Sequence, residues 1–225
     1  MRRVSSPSVA GLLIVASIVA GVLAEASETA RYDSDIASSR LTVEGTSTIH
    51  DWTVEGHIIR GGLILHELEP SSLWTHGDAA PQALAATVDV EIPVDSLKSD
   101  SGGLNRKMYE ALKAQTHPVI IYRLAAAEIE ADRAADENDS GGGITVNTTG
   151  VLTVAGVDRT VEIPMQVKRL PDGRLQVSGE TSLHMSEFSI DPPRAMLGTL
   201  RTGDTVRVHW TWVLARGRID TRDER

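Results

Sequence analysis

Hydrophobic and polar residues alternate along most of the chain, which is the pattern expected of strands that bury one face. Every second residue is apolar between Ala86 and Ile92, and the same alternation recurs between Val161 and Val167. A third such run includes Val206, Val208 and Trp210. The pattern predicts an all-β chain with strands at about 39–46, 53–66, 83–93, 119–130, 144–154, 159–170, 174–183 and 204–215.

Tight-turn sequences separate several of these strands. Ala155-Gly156-Val157-Asp158 and Pro171-Asp172-Gly173 each join two consecutive strands and favour antiparallel hairpins. Eight antiparallel strands in an open sheet would leave two unpaired edges, and closure into a barrel removes both. We therefore predict an eight-stranded antiparallel, lipocalin-like barrel, which is wide enough to be filled by side chains or to hold one small ligand.

One segment has the periodicity of a helix. Leu104, Met108 and Leu112 recur every four residues, which places them on one apolar helical face over residues 104–113. Thr116-His117-Pro118 follows and leads into a β-branched run. We predict one short helix that lies against the barrel and covers one of its ends.

The N-terminus has the features of an export signal. Arg2 and Arg3 precede an uncharged apolar run over 9–24, and small residues at Ala24 and Ala26 suit a cleavage site. We predict a signal peptide over 1–26 and a periplasmic or secreted product with no stable membrane anchor. A retained anchor is the alternative, although the run is at the short end for a membrane span.

The remaining boundaries follow from composition and charge. We predict a single barrel domain over 31–216 and a disordered tail over 217–225, since the last residues alternate in charge with almost nothing apolar.

The formal charge is −9, and removal of Arg2, Arg3 and Glu25 makes it −10. Such an acidic domain is a poor match for nucleic acid. The absence of cysteine excludes disulfides, thiolate chemistry and cysteine-ligated zinc.

Catalytic and metal chemistry are weakly indicated. Ser47, His50 and Asp51 are the parts of a hydrolase, yet neighbouring residues on an extended strand point to opposite faces, so catalysis is the alternative hypothesis. The seven histidines lack the H-x-H or H-x-x-x-H spacing that would place two imidazoles on one metal. We therefore predict no metal and no cofactor.

Four sequence features, taken in order, carry a resemblance to a known family. They are the helix followed by His117-Pro118, the run Gly150-Val-Leu-Thr-Val-Ala-Gly-Val157, the run Arg159-Thr-Val-Glu-Ile-Pro164, and Gly198-Thr-Leu-Arg-Thr-Gly-Asp-Thr-Val206. Over about residues 39–215 the chain resembles the YceI-like family of secreted, lipocalin-like isoprenoid-binding proteins. The resemblance implies a non-enzymatic barrel whose apolar interior holds a long isoprenoid lipid of the quinone or polyprenyl type.

The alternation and the resemblance together identify candidate ligand contacts. We predict that residues on the inward faces of the strands touch the lipid: Val43, Val54, Ile58, Val90, Ile121, Leu152 and Met165. The helix and a proline-rich loop would close the ends of the cavity through Met108, Leu112, Met196 and Leu197. A filled-core structural or stress-related partner protein without a ligand stays open as a third hypothesis, because side chains alone can fill such a barrel. Homodimerisation is left open as well.

Overall fold

The computed structural model describes residues 29–66, 82–130, 143–195 and 200–217, and within these ranges the chain forms thirteen strands and one α-helix. The strands are β1 (Ala30–Ser34), β2 (Arg40–Ser47), β3 (Trp52–Gly56), β4 (Arg60–Leu65), β5 (Gln82–Ala83), β6 (Ala86–Pro93), β7 (Leu97–Lys98), β8 (Val119–Ile129), β9 (Gly143–Val154), β10 (Val157–Arg169), β11 (Leu175–His184), β12 (Arg194–Ala195) and β13 (Leu200–Arg216). The helix α1 is Gly102–Ala111, and short 3-10 turns occupy Ile36–Ser38, Val94–Ser96 and Met185–Phe188.

The sheet closes on itself through the first and last strands. β1 pairs antiparallel with β4 on one side and with β13 on the other, which completes a ring in the order β1-β4-β6-β8-β9-β10-β11-β13. Closure leaves no free edge in this ring, so the eight-stranded antiparallel barrel predicted from the alternation is confirmed. β2 and β3 extend the wall beyond β1 and β4, because β13 pairs with β2 along most of its remaining length.

The predicted strand over 53–66 is wrong in one respect, because it is divided into β3 and β4. Residues 57–59 between them are not in a strand. Gly61, just beyond the break, has φ 126°, and a Cβ there would lie 1.9 Å from the carbonyl oxygen of Asp89. Only glycine permits this close backbone approach. After the break β4 pairs with β1 and β6, whereas β3 pairs with β2 and β7.

The hairpin between β9 and β10 has the turn that its sequence predicts. Val154 pairs with Val157, and the two residues between them, Ala155 and Gly156, have φ values of 52° and 80°. Positive φ at both central residues is the condition for a type I′ turn. The ring of His117 lies against this turn, since a Cβ on Gly156 would come within 2.4 Å of its Cε1 atom.

One end of the barrel is packed shut, and we call it the sealed end. Tyr32, Leu65, Leu175 and Leu214 are all at least 97% buried there. Outside this core the carboxylate of Asp35 accepts hydrogen bonds from Ser38 Oγ and from Arg174 Nη1. The bond from Ser38, followed by that from Arg174, holds the pKa of Asp35 below its ordinary value, against some opposition from burial.

The helix α1 lies at the opposite end, which we call the helix end. Its predicted span of 104–113 is shifted by two residues, because Ser101 caps the helix by accepting a hydrogen bond from the backbone N–H of Leu104. Lys113 has φ 53° and terminates the helix. Leu104 and Met108 pack against the barrel core, which confirms the predicted apolar face.

The wall between β10 and β11 is formed by a short strand ladder and by a 3-10 turn that packs against β10. Their ladder joins 166–169 to 175–178, near the hairpin that connects them. Farther from the hairpin the 3-10 turn Met185–Phe188 packs against β10, and Phe188 is only 2% exposed. The carboxylate of Asp204 holds this turn by accepting hydrogen bonds from the N–H of Ser186 (2.8 Å) and its Oγ (2.6 Å). These bonds, that from the hydroxyl first, lower the pKa of Asp204.

Candidate binding cavity

The interior of the barrel contains an apolar cavity of about 310 Å³. Toward the sealed end the wall is aliphatic or aromatic, with Leu63, Leu65, Ala127, Ile144, Val146, Leu175, Val177 and Trp212 among its members. Toward the helix end it includes Trp52, Leu104, Met108, Leu112, Thr181, His184, Phe188 and Thr202. Of the described lining residues, only Tyr122 and His184 carry an ionisable side chain. The cavity can therefore accept a largely uncharged molecule.

The structure brings together most of the residues predicted to touch a ligand. The following seven line the cavity: Val43, Val54, Val90, Met108, Leu112, Leu152 and Met165. Ile58 and Ile121 do not, and their predicted placement is wrong. Met196 and Leu197 lie outside the described residues. The contribution of the seven to binding stays a prediction.

Each misplaced isoleucine is one residue away from a residue that lines the cavity, and within a strand such a shift reverses the face. Ile58 lies in the break after β3, where its neighbour Ile59 is 3% exposed and lines the cavity instead. In β8 the inward residues are Ile120 and Tyr122. Arg123 could have revealed this parity, because it faces outward and pairs with Asp89 at 3.1 Å.

Sequence reasoning missed the aromatic part of the wall. Trp52 and Trp210 both line the cavity, and each lies across a glycine on the neighbouring strand. A Cβ on Gly45 would come within 2.1 Å of the Trp52 ring, and one on Gly179 within 2.5 Å of the Trp210 ring. Each tryptophan ring therefore occupies the space that a side chain on the facing glycine would fill. The signal for this arrangement is a cross-strand pair, which the sequence shows only once the register is known.

A buried polar pair interrupts the apolar wall. Tyr122 of β8 and Thr148 of β9 line the cavity and are 9% and 6% exposed. Tyr122 donates a hydrogen bond to Thr148 Oγ1 at 3.2 Å, and Thr148 donates one to the carbonyl of Ile163 at 2.7 Å. Burial raises the pKa of Tyr122, an effect that the bond with Thr148 partly offsets. The phenol is consequently neutral and keeps its proton at physiological pH.

The candidate hydrolase residues do not form a nucleophile and base. The Ser47 hydroxyl donates to the backbone carbonyl of His50 at 2.6 Å and accepts from the N–H of the same residue at 3.3 Å. The His50 ring lies 3.1 Å from the backbone carbonyl of Asp51 rather than beside a carboxylate. These bonds hold the loop between β2 and β3, which is the usual role of serine in a turn.

The described part of the chain contains neither a cluster of metal-ligating side chains nor a membrane-spanning α-helix. No group of three or more histidine, aspartate or glutamate side chains there could hold a metal ion. No α-helix within those ranges is long and apolar enough to cross a membrane.

An antiparallel barrel closed by eight strands, with one end packed shut and an apolar interior, defines a lipocalin-like protein. The sequence profile of the YceI-like domain matches residues 32–214, and the chain belongs to this family. The family resemblance found in the helix, the β9–β10 hairpin and β13 is thereby confirmed. A comparison with curated proteins finds no match.

Solved structures share the fold. One is a polyisoprenoid-binding domain from Saccharophagus degradans implicated in plant cell wall breakdown, with 17% identity, a TM-score of 0.56, and coverage of 83% of this chain and 98% of that one. Another is BcnA from Burkholderia cenocepacia, with 18% identity, a TM-score of 0.57, and coverage of 80% and 99%. At such identities the likeness concerns the fold alone.

Proposed function

We propose that this protein is a non-enzymatic binding protein that holds a long apolar isoprenoid lipid, of the quinone or polyprenyl type, inside its barrel. The observation that carries the proposal is the cavity wall, which contains no carboxylate, ammonium or guanidinium group among its described members. Support also comes from a structural relative that is described as a polyisoprenoid-binding domain. A cavity of about 310 Å³ further favours a ligand over an interior filled by side chains.

Apolar contact alone is sufficient for tight binding of such a ligand. Burying about twenty carbon groups of an isoprenoid chain contributes roughly 16 kcal/mol, at about 0.8 kcal/mol for each group. Lost translational, rotational and conformational freedom opposes binding by an estimated 4–15 kcal/mol. Micromolar affinity needs about 8 kcal/mol, so apolar contact alone supplies it when the opposing cost stays below about 8 kcal/mol. Under that condition the site needs no ion pair with the ligand.

The tryptophans in the wall provide a direct assay. Trp52, Trp210 and Trp212 all line the cavity, so a quinone that enters should quench their fluorescence. We expect saturable quenching of delipidated protein by a long-tailed quinone. Gentle purification followed by organic extraction and mass spectrometry should in turn recover an isoprenoid. Protein that is repeatedly lipid-free, and that takes up neither quinone nor polyprenol, would contradict the proposal.

We also propose that the protein acts in the periplasm or outside the cell after removal of residues 1–26. The support is the sequence pattern of Arg2, Arg3 and the apolar run 9–24. N-terminal sequencing of the mature protein should start near Glu25 or Ser27. Recovery of intact Met1 in the membrane fraction would show instead that the segment is an anchor.

A further inference from the structure

The hydrogen bonds of the buried pair have only one consistent direction. The carbonyl of Ile163 can only accept, so the bond at 2.7 Å uses the hydroxyl proton of Thr148. Thr148 then has no proton left to donate to Tyr122. The bond of 3.2 Å between the two hydroxyls therefore uses the proton of Tyr122. Both hydroxyl protons of the pair are therefore used in hydrogen bonds within the protein.

The phenol oxygen of Tyr122, a residue that lines the cavity, consequently keeps unused acceptor capacity. A hydroxyl has one proton and two lone pairs, and the proton of Tyr122 already points toward Thr148. Among the described residues, none donates a hydrogen bond to this oxygen. Thr148 is 94% buried and already donates to Ile163, so Tyr122 is the member of the pair that can accept a hydrogen bond from a group in the cavity.

We propose that Tyr122 determines ligand specificity by accepting a hydrogen bond from a hydroxyl of the lipid, and that the cavity consequently prefers an isoprenoid alcohol or a quinol to an ether, ester or quinone. The inference rests on the proposed function. A ligand that can only accept could bind Tyr122 only by drawing its proton away from Thr148, which forfeits one hydrogen bond. The loss of such a bond corresponds to roughly a two- to tenfold change in affinity.

The position of Tyr122 along β8 suits a head group with its tail inside the barrel. Tyr122 is the fourth residue of β8, which begins at Val119 beside the helix end. Seven residues farther along, Ile129 lies in the packed core of the sealed end. Those seven residues span about 23 Å of strand. The neighbouring positions on the two adjacent strands are Val90 and Leu152, both apolar, so the polar pair stands isolated in the wall.

The test compares geranylgeraniol with its methyl ether, two probes that share a tail and differ in whether their oxygen donates. Affinities are measured by tryptophan fluorescence on the full mature protein, and the ratio of the two cancels contributions from the tail. In Tyr122→Phe we expect the alcohol to bind roughly two- to tenfold more weakly while the ether is unchanged. In Thr148→Val the proton of Tyr122 is released, so the ether should bind more tightly while the alcohol keeps its affinity.

Tyr109→Phe is the matched control. Tyr109 lies on α1 and donates a hydrogen bond to the backbone carbonyl of Leu97 at 2.7 Å. This bond involves neither Tyr122 nor Thr148. We expect its alcohol-to-ether ratio to equal that of the wild type. An identical ratio in wild type, Tyr122→Phe and Thr148→Val would overturn the inference while leaving the carrier function intact. Failure of both probes to bind the folded wild-type protein would refute the carrier function itself.

Discussion

Replacing Met165 by glutamate would place a carboxylate in the cavity wall. Met165 lines the cavity from β10, where it pairs with Val146 of β9. In a hydrated cavity without ligand, the new side chain should titrate near the ordinary glutamate pKa of about 4.3. A lipid bound beside it would remove that water and raise its pKa, as buried glutamates reach about 8.

The size of the effect follows from these two pKa values. The lipid-bound protein would keep a proton that the lipid-free protein loses, so affinity should fall about tenfold for each pH unit between the two pKa values. With values of about 4.3 and 8, the expected loss relative to the protonated form is about sixfold at about pH 5. The same values give a loss of roughly a thousandfold at about pH 7.5.

The assay is a quinone titration at both pH values, followed by tryptophan fluorescence. Gln166→Glu is the control, because Gln166 is the next residue along β10, is exposed, and donates to Thr145 Oγ1 at 2.8 Å on the outer face. It adds the same charge outside the barrel and should leave affinity unchanged at both pH values. Wild-type affinity of a folded Met165→Glu variant at about pH 7.5 would refute the placement of this side chain against the lipid.

Three further predictions concern stability. Gly45→Ala should displace the Trp52 ring, which lies 2.1 Å from the added Cβ, and lower the free energy of unfolding in urea by roughly 1–3 kcal/mol. Gly103→Ala, with its nearest contact at 3.8 Å, should be neutral or slightly stabilising in the same experiment. Phe188→Ala should cost about 3–5 kcal/mol in a thermal or urea unfolding experiment, since a side chain only 2% exposed leaves a cavity. Because the pKa of Asp204 is lowered, its ionised carboxylate should stabilise the fold fully above the ordinary carboxylate pKa. This stabilisation should be lost as the pH falls through the lowered pKa. Asp204→Asn should therefore flatten the acid dependence of the free energy of unfolding, measured in urea at successive pH values.

The candidate site shows where sequence reasoning holds and where it fails. Val43, Val54, Val90 and Met165 were assigned to the inner face from alternation, and all four line the cavity. Strand alternation is a local property of the backbone, so it is readable wherever a strand is regular. Ile58 failed because the strand is not regular there, and nothing in the alternation marks the break at 57–59.

The helix was predictable for the same local reason. Its apolar stripe contains Met108 and Leu112, and helical spacing alone puts these on one face. Only the bounds were off by two residues. The helix starts earlier because the cap at Ser101 compensates for the weak helix propensity of the two glycines that follow. The presence of this element was thus encoded in the sequence, and its apolar face predicted that it would lie against the barrel.

The sequence by itself determined that this protein is built from amphipathic antiparallel strands with an aliphatic inner face, because side-chain direction alternates along each strand independently of its partners. Only the tertiary structure decided which groups meet across strands. Tyr122 and Thr148 are 26 positions apart, and Gly179 and Trp210 are paired across β11 and β13. The register that sets such pairs depends on where bulges and breaks fall in the strands. Their effect on the free energy of folding involves the pairing of all strands in the closed barrel, so no local sequence pattern specifies it.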